Sequence, residues 1–285
     1  MKDAIVAYID VLGYGDFISW LSNNKPESEL TKVADSLYKQ ITHCLKEIES
    51  IKDALVETYP DDKDYLSNLF KSIDIRLISD TILFILRLPD AARRTPARKD
   101  GVFNPLTDPA ALFLQFILFF CPTFIKNTGF LLRGAIAKGY HDLKDFGSIA
   151  PGAFIFSAAY VKAFYMEKEI AVTPRIILEQ DIVNHLKSIK FSLNDYSYID
   201  PDDERYCLDI YHFICPQSRK FVQDLKEAIV YNTLYILPRK DDPVKKQKVR
   251  DKLKYFAAYH NEKVRKSGLD LDTYGFDMSL LNRRI

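Results

Sequence analysis

The chain has 285 residues, 47% of them hydrophobic and 28% charged, so it is long and apolar enough to build a folded core, which excludes a disordered chain. Its 40 Lys and Arg residues nearly balance 39 Asp and Glu residues. This near-neutral charge excludes a chain that is drawn as a whole to nucleic acid or to an anionic membrane.

The cysteines and the apolar segments predict a cytoplasmic protein with no membrane partner. The four cysteines are widely spaced and form no CxxC pair, which favours neither a zinc site nor a disulfide framework. The start MKDAIVAYID lacks the basic region and the cleavage site of a secretory signal. The apolar run Ala110–Ile125 is too short to cross about 30 Å of hydrocarbon and contains Gln115 and Pro122, so we expect a core helix there.

The first predicted element is a strand that ends in an aspartate and a glycine turn. Ala4–Ile9 is a β-branched and aromatic run, and Asp10, Gly13 and Gly15 follow it. From Ser28 onward, apolar residues recur at three- and four-residue steps, which predicts an amphipathic helix. These residues are Leu30, Val33, Leu37, Ile41, Leu45, Ile48 and Leu55.

A hairpin and a long loop come next. Ile73–Ile78 and Thr81–Leu86 are two β-rich runs joined at Ser79 and Asp80, so Asp80 is expected at the hairpin tip. Pro89–Pro109 carries four prolines, which predicts a long loop. The loop also holds a basic cluster that could close over a bound anion, although a solvated loop is the alternative; the cluster is Arg93, Arg94, Arg98 and Lys99.

The order of the elements predicts an α+β fold. After the helix from Ala110 we expect a strand at Phe130–Lys138, a helix at Gly152–Glu167 and a strand at Arg175–Leu178. The core order is β-α-β-β-α-β, that of the ferredoxin-like split βαβ sandwich, with helices on one face of an antiparallel sheet.

The sequence pattern changes after Gln180, from alternating β-rich and helical segments to mostly helical ones. This change predicts a core domain at 1–180 and a mostly helical extension at 181–285. The extension is expected to hold a helix at Ile182–Leu186, an acidic loop at Tyr196–Glu204, and helices at Arg219–Leu237 and Pro243–Lys266. The last helix is dense in Lys and Arg. We interpret it as a solvated face, and we expect no nucleic-acid partner.

Asp10 and Asp80 are the candidate metal ligands. Both lie at strand ends that a β-α-β-β arrangement brings together, and such a carboxylate pair can hold two divalent ions about 3.5–4 Å apart. Asp and backbone carbonyl oxygens suit Mg²⁺ or Mn²⁺, so the carbonyl of Val11 is a further candidate ligand. The alternative is that Asp10 caps the next helix and Asp80 fills a turn.

The glycine turn Gly13, Tyr14 and Gly15 is the candidate substrate-binding segment. A glycine turn that opens a helix lets phosphate oxygens approach backbone N–H groups.

Three segments resemble class III nucleotidyl cyclases, the adenylyl and guanylyl cyclase family. YIDVLGYGDF (Tyr8–Phe17) resembles the first metal-binding motif, RLISDTILF (Arg76–Phe84) the hairpin with the second metal Asp, and LLRGAIAKG (Leu131–Gly139) the following strand. The resemblance covers Met1–Glu179. It implies a head-to-tail homodimer with active sites at the interface, in which Asp10, Val11 and Asp80 bind the two metal ions.

The sequence departs from this family at the positions that handle the ribose, the transition-state charge and the base. Val161 and Tyr165 stand where the family has Asn and Arg, and Phe154 falls near its purine-reading Asp. Val offers no hydrogen bond and Tyr no positive charge. Arg133 is the first candidate for the missing catalytic cation and Lys162 the second. Tyr165 is a candidate to stack on the base or hydrogen-bond to it.

Three segments also resemble the bacterial pyrimidine cyclases of Pycsar anti-phage systems. They are LRGAIAKG (Leu132–Gly139), FSAAYVKAFYMEKEIAVTPRIIL (Phe156–Leu178) and KYFAAYHN (Lys254–Asn261). The resemblance implies conversion of UTP or CTP to a 3′,5′-cyclic monophosphate, a messenger for a separate effector protein. The alternatives are a degenerate cyclase fold that binds nucleotide or scaffolds a dimer, an adenylate or guanylate cyclase, a palm-type polymerase relative and a nucleic-acid binder.

Two packing roles complete the predictions. We expect Glu167 to pair with Arg175, and the aromatic residues near one helix to form its buried face. These aromatic residues are Phe154, Phe156, Phe164 and Tyr165.

Overall fold

The computed structural model describes residues 3–58, 62–88, 108–145, 153–212, 219–237 and 242–282. The predicted basic cluster Arg93, Arg94, Arg98 and Lys99 lies outside the described residues.

With three helices between the first two strands, the first part of the chain contains both strands and helices. They are β1 (Asp3–Val11), α1 (Tyr14–Asn24), α2 (Glu27–Thr58), α3 (Lys63–Lys71), β2 (Ile73–Ile78), β3 (Thr81–Arg87), α4 (Pro109–Thr128), β4 (Leu132–Asp145), β5 (Ala153–Ser157), α5 (Ala158–Glu169) and β6 (Ile176–Leu178). Local signals set the bounds of α4. Asp108 caps it by accepting the N–H of Ala110 at 2.8 Å, and Gly129, at φ 73°, ends it in the left-handed region.

The sheet contains the split arrangement that the sequence predicts. Its strand order is β2-β3-β1-β4-β6-β8-β7, with β5 paired to β4 outside this path. In the four-stranded core β2-β3-β1-β4, every neighbouring pair is antiparallel. Beyond the core the prediction of an antiparallel sheet is wrong, because β6 runs parallel to β4. The α+β fold class is confirmed.

The helices cover both faces of the sheet. Ile5, Ala7 and Ile9 of β1 point to the face that packs against α2 and α4, where the main core lies. Ala4 and Val6 point to the opposite face and pack against Ala159 of α5. The expectation of helices on one face therefore holds for α2 and α4 and is wrong for α5.

The segment before α5 differs from the prediction. Ala153–Ser157 forms strand β5 on β4, and the helix begins only at Ala158, where the Ser157 hydroxyl accepts the N–H of Tyr160 at 3.0 Å. The expected burial is wrong for three of the four aromatic residues, whereas Phe164 is partly buried and packs edge-on against Tyr8 at 5.5 Å. Phe154 is 53% exposed, Phe156 62% and Tyr165 57%.

Helix α4 is the one described helix that is long and apolar enough to cross a membrane. In its most apolar stretch, 83% of the residues are buried inside the protein. The helix packs against α2 and the sheet, as expected for a core helix.

The segment after residue 180 is largely helical and also extends the sheet. Its elements are α6 (Gln180–Ser188), α7 (Leu193–Tyr196), β7 (Ser197–Ile199), β8 (Tyr206–Leu208), α8 (Arg219–Tyr231), a π-helical turn (Asn232–Ile236), α9 (Pro243–Lys266), α10 (Leu271–Tyr274) and a 3₁₀ turn (Met278–Leu281). β8 pairs with β6, and the main core includes Leu225 of α8 and Phe256 of α9. The sheet and the core therefore continue across residue 180.

Candidate active site

Asp10 lies near the end of the central strand β1, on the face that α5 covers. Its register partners are Thr81 on β3 and Arg133 on β4. Its carboxylate is largely buried, and this burial raises the pKa of Asp10, while Arg133 counteracts the shift.

Asp80 lies at the tip of the β2–β3 hairpin, as predicted. The N–H of Val11 donates to its backbone carbonyl at 2.8 Å, which ties the tip to the end of β1, and Ser79 turns the chain at φ 58°. The carboxylate of Asp80 faces Gly15, where an added Cβ would lie 3.7 Å from Oδ2. Asp80 and Asp10 interact electrostatically, so the structure brings the two predicted carboxylates together.

The glycine turn opens helix α1 beside these carboxylates. Gly13 lies at φ 79°, a left-handed conformation that favours glycine, and α1 begins at Tyr14. The ring of Tyr14 packs edge-on against Phe130 at 6.0 Å. The Tyr14 side chain therefore contacts the core in addition to any contact with a ligand.

Arg133 lies between two carboxylates. Its Nε–H donates to Asp10 Oδ2 at 2.9 Å, and Glu167 Oε1 lies 2.5 Å from the same nitrogen. Because Nε has a single hydrogen and donates it to Asp10, the Glu167 contact is an ion pair without a hydrogen bond, and Glu167 Oε1 has no hydrogen-bond partner.

Glu167 is a site residue that the sequence analysis missed. It is 3% exposed, and burial raises the pKa of its carboxyl to about 7, although Arg133 partly offsets the shift. The predicted pair of Glu167 with Arg175 is wrong. Arg175 pairs with Asp200 at 2.6 Å and with Asp203 at 2.7 Å on the opposite side of β6.

Lys252 of α9 is a second missed residue. It is half-buried, and it interacts electrostatically with Arg133, Asp10 and Glu167. Burial lowers the pKa of its ammonium group, and the charge of Arg133 lowers it further. The site thus contains charged groups from β1, the hairpin tip, β4, α5 and α9.

Lys162 and Tyr165 lie on α5 away from this cluster. Lys162 donates to Glu179 at 2.6 Å and to the carbonyl of Lys138 at 3.1 Å. The Tyr165 ring contacts Phe164 and is otherwise largely exposed, and Val161 is exposed beside it. The structure does not bring these predicted residues to Asp10 within the same chain.

The donor chemistry of the site fits a hard divalent cation. Asp10 and Asp80 supply carboxylate oxygens, the ligand type that such a cation prefers, whereas Glu167 Oε1 is paired with Arg133. Within the described ranges, no group of three or more His, Cys, Asp and Glu side chains is arranged to hold a metal ion. Backbone carbonyls, water or a phosphate would therefore have to complete the coordination.

Searches against protein families and curated proteins found no match. Among solved structures, the chain is similar to the adenylyl cyclase CyaB from P. aeruginosa, with 15% identity and a TM-score of 0.39 over 66% of this chain and 81% of that one. It is also similar to the dimeric guanylyl cyclase domain of the RhoGC fusion protein from the fungus Blastocladiella emersonii, with 13% identity and a TM-score of 0.38 over 73% and 93% of the two chains.

A third similar structure is the catalytic core of a rhodopsin-guanylyl cyclase with converted specificity in complex with ATPαS. It has 14% identity and a TM-score of 0.38, over 73% of this chain and 95% of that one. At these values, a functional assignment depends on the residues of the site itself.

Proposed function

We propose that this protein is a nucleotidyl cyclase that converts a nucleoside triphosphate to its 3′,5′-cyclic monophosphate and pyrophosphate. One observation carries the proposal: Asp10 and Asp80 meet at the end of β1, beside the glycine turn and Arg133. Paired carboxylates next to exposed backbone N–H groups and a cation suit a magnesium or manganese triphosphate.

Each residue of the site has a proposed role. Asp10, Asp80 and the carbonyl of Val11 would hold two Mg²⁺ or Mn²⁺ ions, which when bound neutralise phosphate charge and acidify a coordinated hydroxyl. The turn Gly13–Gly15 would orient the phosphates through its N–H groups. Arg133 would stabilise the charge that develops on the phosphates.

The reaction is an internal displacement at the α-phosphorus. The ribose 3′-oxygen forms a bond to that phosphorus, and the bond from the α-phosphorus to the oxygen shared with the β-phosphate breaks. Pyrophosphate leaves with the electron pair, and the hydroxyl proton passes to solvent. The contribution of this chain is positioning and charge stabilisation.

We further propose that the enzyme is a homodimer with active sites at the interface. The exposed side chains of β5 and α5 support this proposal, because they form an apolar surface that a partner would cover. From that surface, Lys162 and Tyr165 would reach the site of a second copy, where Tyr165 would contact the base. UTP is the preferred substrate in this proposal and CTP the next.

The biological setting follows from the same sequence resemblance. A cyclic pyrimidine nucleotide made in the cytoplasm would act as an anti-phage alarm signal for a separate effector protein. The second candidate function is nucleotide binding without turnover. Val161 and Tyr165 favour it, because Val161 supplies no hydrogen bond to the ribose and Tyr165 supplies no positive charge for the transition state. An adenylate or guanylate cyclase is the remaining variant.

The test is a product assay with purified protein, Mn²⁺ and ATP, GTP, CTP or UTP in separate reactions, resolved by mass spectrometry. A cyclic pyrimidine monophosphate that is absent with Asp80→Asn and present with Asp64→Asn would support the proposal, since Asp64 lies on α3 outside the site. Full activity in Asp10→Asn or Asp80→Asn would contradict the mechanism. Nucleotide binding without a product would favour the second candidate.

A further inference from the structure

Helix α9 brings a cation into the carboxylate cluster from a distant part of the chain. Asp10, Arg133 and Glu167 form a chain of contacts at 2.9 and 2.5 Å across β1, β4 and α5. Lys252 interacts with all three, and both carboxylates are in turn affected by its charge. Lys252 is therefore one of the charged groups of this cluster, and it lies half-buried on the helix face that also carries the buried Phe256.

The position of Lys252 is fixed by the packing of its helix. The neighbouring Leu253 is 3% exposed and Phe256 is 1% exposed, both within the main core. On the adjacent turn, the Tyr255 hydroxyl donates to Asp200, which also pairs with Arg175 at 2.6 Å. The carbonyl of Arg175 also accepts the N–H of Gly134 at 2.9 Å, next to Arg133 on β4. These contacts fasten α9 to the part of the sheet that carries Arg133.

The two cations of the cluster, Arg133 and Lys252, differ in their contacts with the carboxylates. Arg133 contacts two carboxylates directly. Lys252 forms no direct ion pair with a carboxylate in the part of the chain that the structure describes, and Lys248 on the previous turn adds positive charge beside it. Lys252 thus presents a positive charge that is available to an anion arriving at Asp10 and Asp80.

We propose that Lys252 is a polyphosphate-binding residue, through which the C-terminal helix of the same chain contacts the β- and γ-phosphates of the substrate. This inference rests on the proposed function for the identity of the substrate. The binding of a polyphosphate at this place is independent of turnover. Lysine binds phosphate as a point charge, so binding requires the positive charge of the side chain and does not depend on the geometry of the charged group.

The first experiment measures binding of inorganic tripolyphosphate with Mg²⁺ by isothermal titration calorimetry. Lys252→Met keeps the apolar stem and removes the charge. We expect it to weaken binding about tenfold or more, the loss typical of a charged hydrogen bond. The matched control is Lys245→Met on the exposed first turn of α9, and both it and Lys252→Arg should stay within about threefold of the wild type.

A second experiment needs no variant. Amine acetylation of the wild-type protein, mapped by mass spectrometry, should be slowed at Lys252 by magnesium tripolyphosphate and unchanged at Lys245. The inference is overturned if Lys252→Met binds like the wild type, if tripolyphosphate does not bind the wild type, or if it does not protect Lys252.

The two proposals can fail separately. Loss of tripolyphosphate binding in Lys252→Met, together with no cyclic product from any nucleotide, would keep this inference and reject the cyclase. Cyclic product with unchanged binding and KM in Lys252→Met would keep the cyclase and reject this inference.

Discussion

Arg133 lies between the carboxylates of Asp10 and Glu167, and this position gives Glu167 a role at the site. Its single Nε–H is used by Asp10, while Glu167 holds the same group from the other side. A divalent ion on Asp10 would compete with Arg133 for the carboxylate, and Glu167 would then keep the guanidinium beside the site. Glu167 would thus act as a positioning residue for Arg133, the proposed catalytic cation.

Glu167 makes the stability of the protein depend on pH. Its pKa of about 7 in the folded state lies above the ordinary value of 4.5, because burial disfavours the charged form. Its contribution to stability is therefore fully present below about pH 4.5 and is lost as the pH rises through about 7. Replacement by Gln removes this loss, so Glu167→Gln should gain stability relative to the wild type between pH 5 and pH 8.

Urea unfolding at pH 5 and pH 8 measures this difference. The matched control is Glu169→Gln, on the exposed side of the same helix, which should show the same pH dependence as the wild type. An unchanged pH dependence in Glu167→Gln would mean that its carboxyl titrates normally in the folded protein.

At the scale of elements, β1 and β4 lie so close together at Gly134 that they leave no room for a side chain. Gly134 lies directly against the carbonyl oxygen of Tyr8, and a Cβ at this position would overlap that oxygen. Gly134→Ala should therefore reduce the free energy of unfolding by about 1–3 kcal/mol, the cost of overpacking a core. It would also shift Arg133, the next residue, relative to Asp10.

Chemical denaturation measures the free energy of unfolding of Gly134→Ala, and Gly15→Ala is the matched control. An added Cβ at Gly15 meets Asp80 Oδ2 only at 3.7 Å, an ordinary contact, and Gly15 lies in a helix, where Ala is preferred by about 1 kcal/mol. Gly15→Ala should be at least as stable as the wild type. Equal stability of the two variants would show that β1 and β4 can separate without cost.

The sequence predicts elements well where their pattern is local. The regular spacing of α2 and the apolar run Ala110–Ile125 of α4 mark both helices, and Ser79–Asp80 marks the hairpin. The run Ala153–Ser157 is short and apolar and precedes a helix, so periodicity alone does not separate strand from helix there. Its pairing with β4 depends on residues that lie far away in the sequence.

The site was predictable only in part, because some of its residues come together through contacts between distant parts of the sequence. Asp10 and Asp80 stand at strand ends, and strand order brings such ends together. Glu167 and Lys252 look like ordinary members of charged helices, and only tertiary packing turns them towards Asp10. For Lys252, the buried Leu253 and Phe256 were the available signal, since they fix which side of the helix faces the core.

At the scale of the whole molecule, the exposed surface of β5 and α5 predicts self-association. Phe156 is 62% exposed and Tyr165 57%, with Phe154 and Val161 beside them. If a second copy covers this surface, Phe156→Asp should convert a dimer to a monomer, because a charge would be buried without a partner. Light scattering after size-exclusion chromatography measures the mass.

The matched control is Tyr38→Asp, at an aromatic residue of α2 that is 72% exposed and far from α5 in the chain. It should remain dimeric. A monomeric wild type, or a dimer that tolerates Phe156→Asp, would contradict an interface at this surface.

The predicted division at residue 180 can be tested against the continuity of the core. β8 pairs with β6 across this boundary, the buried Asp200 holds Arg175, and Phe256 packs in the same core as Ile5. A fragment of residues 1–180 would expose these surfaces and lose Lys252, so we expect it to unfold without a cooperative transition and to bind no tripolyphosphate. Co-expression with residues 181–285 should restore both properties. A fragment that unfolds cooperatively alone would establish two domains, and the C-terminal segment would then be a separate module that contributes Lys252 to a finished fold.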